Sequence, residues 1–375
     1  MYTPFGLYWN GMWQKPASGK SIPVISPVTE EVLGEAPAAN KSDTRKVVES
    51  AVSGTAQWRK VIAWERSRML RRVAEVMRER TDDMARWLSL ELGKPLDQSK
   101  GEVGMAIEQF EWYAEEAKRI YGHVLESRQP HGKVLIQHEP LGVVAAFTSW
   151  NFPVVLAARK IAPALAAGCS VILRPAEEAP GSAMSLVQCL HEAGVPAGVI
   201  NLINGSADTI SPVLLNESRV RKISLTGSAR VGKLLIKASA ETLKRTSMEL
   251  GGHAPVIIYA DADAEAIAEQ AALVKFKHCG QVCASPSRYF IHESQAEAFT
   301  NKFIEIAQNF KLGNGMESGV DIGPLATKKR LKEVELMVSG TLKSGARLRL
   351  GGKRPEGFDR GFFYEPTVFD QVPDH

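Results

Sequence analysis

From Leu141 onward the chain alternates short apolar runs with helix-length stretches, and this alternation limits its fold more than any other feature. The runs fall at 143–147, 170–173, 199–203, 222–225 and 255–259, each four or five residues long. Strands separated by helices imply right-handed crossovers and a parallel sheet, because parallel neighbours need a long return connection. The reading is an α/β chain built on a doubly wound parallel sheet. A length of 375 residues exceeds one core, so two or three domains are expected.

Upstream, residues 42–121 read as mainly helical. In the last of these helices Val103, Ile107, Phe110, Ala114, Ala117 and Ile120 recur at three- and four-residue steps, which places them on one core-facing stripe. The preceding helix is expected to stop at Gly93-Lys94-Pro95, where glycine permits a left-handed cap and proline blocks continuation. Between the helical and alternating regimes, 124–139 contains Pro130 and Gly132 followed by an alternating segment, the pattern of a projecting hairpin.

Composition removes several classes of function. The 46 basic and 42 acidic residues are mixed along the chain, so no basic stripe points to nucleic acid. The start lacks a secretory leader pattern, and the most apolar stretch, 154–173, is interrupted by Arg159, Lys160 and Pro163, so no membrane span is expected. Four cysteines, Cys169, Cys189, Cys279 and Cys283, are too few for a disulfide framework and fit a reducing, cytoplasmic setting. Cys279 and Cys283 have no second Cys or His pair to complete a zinc site, so no metal is expected.

Parallel sheets bind ligands at the carboxyl ends of their strands, which directs attention to three loops. In Thr148-Ser149-Trp150-Asn151-Phe152-Pro153 the Asn151 amide is a hydrogen-bond donor at a strand end, or alternatively part of a helix start. Thr226-Gly227-Ser228, with Gly232 following, either cradles a diphosphate at a helix N-terminus or is a plain strand-to-helix turn; it is not a G-x-G-x-x-G fingerprint. The third constellation pairs Glu249-Leu250-Gly251-Gly252 with Gly280-Gln281-Val282-Cys283. A thiolate and a carboxylate together suit acyl chemistry, although each alone is as readily a buried small side chain or a solvated surface charge.

Taken together, Trp150-Asn151-Phe152-Pro153, Arg174-Pro175-Ala176-Glu177, Thr226-Gly227-Ser228, Glu249-Leu250-Gly251-Gly252 and Gly280-Gln281-Val282-Cys283 resemble the aldehyde dehydrogenase superfamily in order and spacing, with Glu249 and Cys283 34 residues apart. The resemblance implies a dinucleotide-binding domain over 1–251, carrying an oligomerisation hairpin near 122–140, and a catalytic domain over 252–375. It implies Cys283 as nucleophile, Asn151 as oxyanion donor and Glu249 as the base that activates water. For the cofactor it implies Thr148, Trp150, Arg174, Glu177, Gly227, Ser228, Gly232 and Leu250. Glu177 favours NAD over NADP by repelling a 2′-phosphate, while Arg174 stands where the family usually has lysine and leaves NADP possible.

The run from Phe110 to Gly122 and the segment Ala158-Arg159-Lys160 resemble the succinate-semialdehyde dehydrogenase branch. That likeness implies that Arg159 and Lys277, six residues before Cys283, hold the distal carboxylate of a semialdehyde; the other reading is two ordinary surface charges. A homo-oligomer, dimer or tetramer, is the family expectation. The sequence stops at His375, before the Glu-x-Phe-Gly-Pro motif that the family uses to hold the nicotinamide ribose. Two functions are therefore carried forward: oxidation of a carboxylate-bearing aldehyde such as succinic semialdehyde with NAD(P), and a catalytically impaired dinucleotide-binding remnant of such an enzyme.

Overall fold

The computed structural model describes residues 4–373. In chain order the elements are β1 (Leu7–Trp9), β2 (Met12–Gln14), β3 (Ser21–Ile25), β4 (Val32–Pro37), and helices α1 (Lys41–Trp58), α2 (Ala63–Glu79), α3 (Thr81–Leu92) and α4 (Leu96–Glu116). A hairpin of β5 (His123–Glu126) and β6 (Lys133–Ile136) follows. The alternating part then runs β7 (Val143–Phe147), α5 (Pro153–Ala166), β8 (Ser170–Arg174), α6 (Pro180–Glu192), β9 (Ile200–Leu202), α7 (Ala207–Asn216), β10 (Val220–Gly227), α8 (Ala229–Ser239) and β11 (Arg245–Leu250). The remainder holds β12 (Val256–Ile258), α9 (Ala264–Phe276), β13 (Tyr289–Ile291), α10 (Glu293–Gln308), α11 (Lys328–Lys343), β14 (Arg347–Leu350) and β15 (Val368–Asp370). No helix among the described residues is long and apolar enough to cross a membrane.

The chain forms two compact units. The first comprises residues 1–23, 35–84 and 101–250 and is organised by a seven-stranded sheet in the order β11-β10-β7-β8-β9-β1-β2. Strands β7 to β11 are mutually parallel, and β1 runs antiparallel to β9 at the far side. The sheet is thus mixed where the strand-helix alternation implies a purely parallel one, since the N-terminal hairpin of β1 and β2 closes one edge. All five residues of β7 are buried, as expected for a central strand covered on both faces. Val143, Ala145, Ile172, Ile223 and Leu225 from the strands meet Val47, Ala51, Ile210, Leu214 and Leu235 from α1, α7 and α8 in one core.

Two features depart from the sequence reading. Strand β11 belongs to the sheet, yet Arg245-Thr246-Ser247-Met248-Glu249-Leu250 has no apolar run, because an edge strand exposed along five of its six residues needs none. The fifth expected strand, β12, lies outside this sheet and pairs instead with β13 in the second unit.

The second unit gathers 24–34, 85–100 and 251–375, so two early segments fold with the C-terminal residues and the chain does not divide into two continuous pieces. Main-chain bonds fix them there: Phe362 N–H donates to Pro27 O and Leu96 N–H to Gly315 O, each at 2.9 Å. Helix α3 stops where Gly93 turns to φ +65°. The core of this unit packs Ala268, Ala272 and Phe276 of α9 against Phe299 and Phe303 of α10, with Tyr289 at 5.4 Å from Phe299.

The start of α5 is the local structure on which the first strand-end loop depends. Pro153 occupies its first turn, and the N-cap residue Phe152 supplies no side-chain bond. The free N–H groups of Val154 and Val155 instead donate to Oε1 of Glu102, a fully buried carboxylate on α4, at 2.9 and 3.3 Å. A buried anion at a helix N-terminus gains from both the hydrogen bonds and the helix dipole. Glu102→Ala is expected to destabilise the fold by about 2–3 kcal/mol, read as a lower urea midpoint, with Glu102→Gln losing roughly half as much.

Candidate active site

The strand order reverses between β7 and β10: β8 and β9 lie to one side of β7, β10 and β11 to the other. In an open α/β sheet the crevice at such a reversal, beyond the carboxyl ends of the strands, is where ligands bind. The first unit brings ten of the sequence-predicted residues to that edge. Thr148, Trp150 and Asn151 follow β7, Arg174 ends β8, Glu177 follows it, Gly227 ends β10, Ser228 and Gly232 open α8, and Glu249 and Leu250 end β11. In register, Thr226 pairs with Glu249 and Gly227 with Leu250.

Asn151 is not the cap of α5, whose N-cap is Phe152. The Ser149 hydroxyl donates to Asn151 Oδ1 at 2.5 Å, so the carbonyl end is the accepting one and Nδ2 is the donating end. Ser149 thus orients the Asn151 amide, a contact that the sequence motif contained without revealing. Ser228 caps α8 by accepting from Val231 N–H at 3.3 Å. Gly232 packs closely on β11, since a Cβ there would lie 3.1 Å from Leu250 Cδ2.

The β7–β9 side of this edge gathers buried polar atoms without protein partners. Thr148 Oγ1, Arg174 Nε and Asn204 Nδ2, from the ends of three neighbouring strands, are buried without a hydrogen-bond partner. Each such group costs about 1–3 kcal/mol unless a ligand or water satisfies it. Arg174 also donates through Nη2 to Glu177 Oε1 at 2.5 Å and to Gly205 O at 2.9 Å. Donors and a carboxylate at a strand-end edge fit the sugar of a dinucleotide.

Lys160 is the residue here that pattern reading passed over. It is buried on α5, donates to Ser224 Oγ of β10 at 3.1 Å, and has its pKa pushed down to about 8 by burial, partly opposed by the Glu249 carboxylate. Arg159, beside it, is exposed, and no ion pair or hydrogen bond holds it among the described residues.

In the second unit, Cys283 is exposed in a turn that follows a tightly wound segment. His278, Cys279 and Gly280 are three consecutive residues with φ of +49°, +56° and +70°. Two non-glycine residues in the left-handed region cost about 1–2 kcal/mol each, and surrounding bonds hold them there. His278 N–H donates to Gln98 Oε1 at 2.9 Å, Gln281 Nε2 donates to His278 O at 3.2 Å, and Gln281 Oε1 accepts from Ala326 N–H at 3.1 Å. Lys275, unremarked in the sequence reading, donates to Ser285 Oγ at 3.3 Å and braces the other side of the turn.

The four cysteines are separated by environment. Cys169 and Cys189 are buried, and burial pushes the Cys189 thiol up to about 12. Cys279 donates to Gly323 O at 2.9 Å and is likewise raised to about 12, so it stays a thiol. His278 is buried beside Lys94 and held well below the usual histidine range, so it is neutral at pH 7 and is a packing residue rather than a second base. Lys277 is exposed at the junction of α9 and this segment.

The aldehyde dehydrogenase family model matches residues 13–375. The chain is 41% identical over 366 residues to a glutarate-semialdehyde dehydrogenase of Pseudomonas putida, covering 98% of this chain and 75% of that protein. To a 3-sulfolactaldehyde dehydrogenase of Pseudomonas putida it is 42% identical over 363 residues, covering 97% and 74%. The crystal structure of succinate-semialdehyde dehydrogenase from Burkholderia pseudomallei is similar with a TM-score of 0.95 and 40% identity, covering 98% of this chain and 76% of that one. The chain belongs to the aldehyde dehydrogenase family, whose enzymes are NAD(P)-dependent oxidoreductases.

Two outcomes follow from these environments. Iodoacetamide at pH 8 is expected to modify Cys283 in the native chain while Cys169, Cys189 and Cys279 react only after denaturation, as read by peptide mass mapping. Lys160, whose folded pKa lies near 8 against an ordinary 10.5, binds fewer protons folded than unfolded between those values, so its penalty is full below pH 8 and relieved as pH rises. Lys160→Met should therefore exceed the wild type in stability by up to about 3 kcal/mol at pH 7, an advantage that narrows to roughly 1 kcal/mol by pH 9.5 in urea titrations.

Proposed function

We propose that this chain oxidises an aldehyde bearing a distal carboxylate, such as succinic or glutaric semialdehyde, to the dicarboxylic acid, with covalent capture on Cys283. The observation that carries the reading is the state of that thiol: of the four cysteines it is the exposed one, in a turn braced by the Gln98 and Gln281 bonds. As thiolate it adds to the carbonyl carbon, and the resulting oxyanion accepts hydrogen bonds from the Asn151 Nδ2 and the Cys283 main-chain N–H. The Ser149 bond supports this role of Asn151, since it engages Oδ1 and makes Nδ2 the donating end. Bound NAD(P) supplies the hydride acceptor. Glu249 takes a proton from the water that releases the acyl group as acid and restores the thiol.

The nucleotide is held along the carboxyl edge of the first unit by Thr148, Trp150, Arg174, Glu177, Gly227, Ser228, Gly232 and Leu250. NAD is preferred over NADP. Glu177 accepts from ribose hydroxyls and repels a 2′-phosphate, and Nη2 of Arg174 is engaged by Glu177 and Gly205.

Arg159 and Lys277 receive the distal carboxylate. An unpaired arginine on a helix otherwise almost wholly buried supports that role. So do the relatives, whose named substrates, glutarate semialdehyde, 3-sulfolactaldehyde and succinate semialdehyde, each carry an anion remote from the aldehyde. The hairpin β5–β6, with Val124, Leu125, Val134 and Leu135 all exposed, serves contact between copies of the chain in a homo-oligomer.

NADH formation from succinic semialdehyde by the purified chain, followed by absorbance, tests the reading. Cys283→Ser is expected to abolish turnover. Arg159→Leu should raise the KM for succinic semialdehyde about 10- to 100-fold and leave that for propionaldehyde nearly unchanged. Nucleotide binding without turnover would contradict the proposal.

A further inference from the structure

Asn204 is a buried amide that the fold does not use. It lies just beyond β9 and is 4% exposed, with its main-chain carbonyl fixed by Ala39 N–H at 2.9 Å. Its side-chain Nδ2 is buried and meets no acceptor. Asn201, three residues earlier, shows what a structural asparagine does here: its Nδ2 donates to Gly198 O at 2.8 Å and Val171 O at 3.2 Å, and its Oδ1 accepts from the Ser50 hydroxyl at 2.7 Å. The two amides share one strand environment and differ in having partners.

The neighbours of Asn204 indicate what its partner is. Arg174 Nη2 donates to the carbonyl of Gly205, the next residue, and Arg174 bonds Glu177 as well. Ile203 N–H donates to Leu173 O, and Thr148 N–H to Arg174 O, so the ends of β7, β8 and β9 are locked side by side. Arg174 Nε, also buried without an acceptor, is a donor only, as is Asn204 Nδ2. A ligand that satisfies them presents acceptors, and one that can also donate suits the Glu177 carboxylate, which already accepts from Arg174 Nη2. A ribose hydroxyl does both; a phosphate ester offers acceptors alone.

We propose that Asn204 is a specificity-determining residue for the nucleotide, donating through Nδ2 to the adenosine half of the bound dinucleotide. The inference rests on the nucleotide site proposed above. It assigns to Asn204 a contact made only with ligand bound, which separates it from a structural role.

Calorimetric titration of the full chain with NAD and with ADP-ribose, together with thermal melts in the absence of nucleotide, tests it. Asn204→Leu, close in volume and unable to donate, should weaken both ligands about tenfold while leaving the ligand-free Tm equal to or above the wild type, because an unsatisfied buried group has been removed. Asn204→Asp, which keeps the shape and replaces the donor by an acceptor, should lose at least as much affinity. Unchanged affinity in both variants overturns the assignment, and a ligand-free Tm well below wild type in Asn204→Leu with ligand affinity retained shows a structural amide instead. Failure of the wild-type chain to bind ADP-ribose overturns the nucleotide site itself and this inference with it.

Discussion

Strand β7 pairs in parallel with β8 on one side and β10 on the other, and the arrangement of the first unit follows from that double pairing. Because both neighbours run the same way, the loops after β7, β8 and β10 leave the sheet at one edge. Because the chain winds first to one side and then back to the other, the helices on either face part there. Asn151, Arg174, Glu177, Gly227 and Glu249 are distant in sequence and share an edge for this reason. The buried run of β7 and the carboxylate of Glu102 beneath α5 then fix the height and direction of the Asn151 loop.

In the second unit the governing constraint is different. The turn carrying Cys283 is preceded by three residues in the left-handed region, a conformation that relaxes unless it is over-determined by its surroundings. Gln98, Gln281 and the carbonyl of Gly323 supply that determination. The Gly323 carbonyl also takes up the Cys279 thiol, which leaves Cys283 as the exposed thiol of the segment.

Much of this was legible in the sequence, and the exceptions have physical causes. The central strands announce themselves as apolar runs because both faces are buried. Strand β11 does not, because an edge strand in water carries Thr246, Ser247 and Glu249 without penalty. The motif residues are readable since glycine, asparagine, cysteine and glutamate at strand ends are chemically distinctive. Lys160, Lys275, Glu102 and Asn204 are not, because their character comes from burial and partners set by distant elements; in sequence each is an ordinary polar residue. The joining of 24–34 and 85–100 to the C-terminal residues is likewise invisible locally, being made by main-chain bonds such as Leu96 to Gly315.

In the proposed reaction Cys283 forms the covalent bond to substrate and Glu249 governs its release. Acid quenching of the chain during reaction with succinic semialdehyde and NAD, followed by peptide mass analysis, reads this directly. An acyl adduct confined to the peptide containing Cys283, accumulating further in Glu249→Gln, is the expected result. Absence of any adduct in that variant, or an adduct on Cys279 in its place, would contradict it.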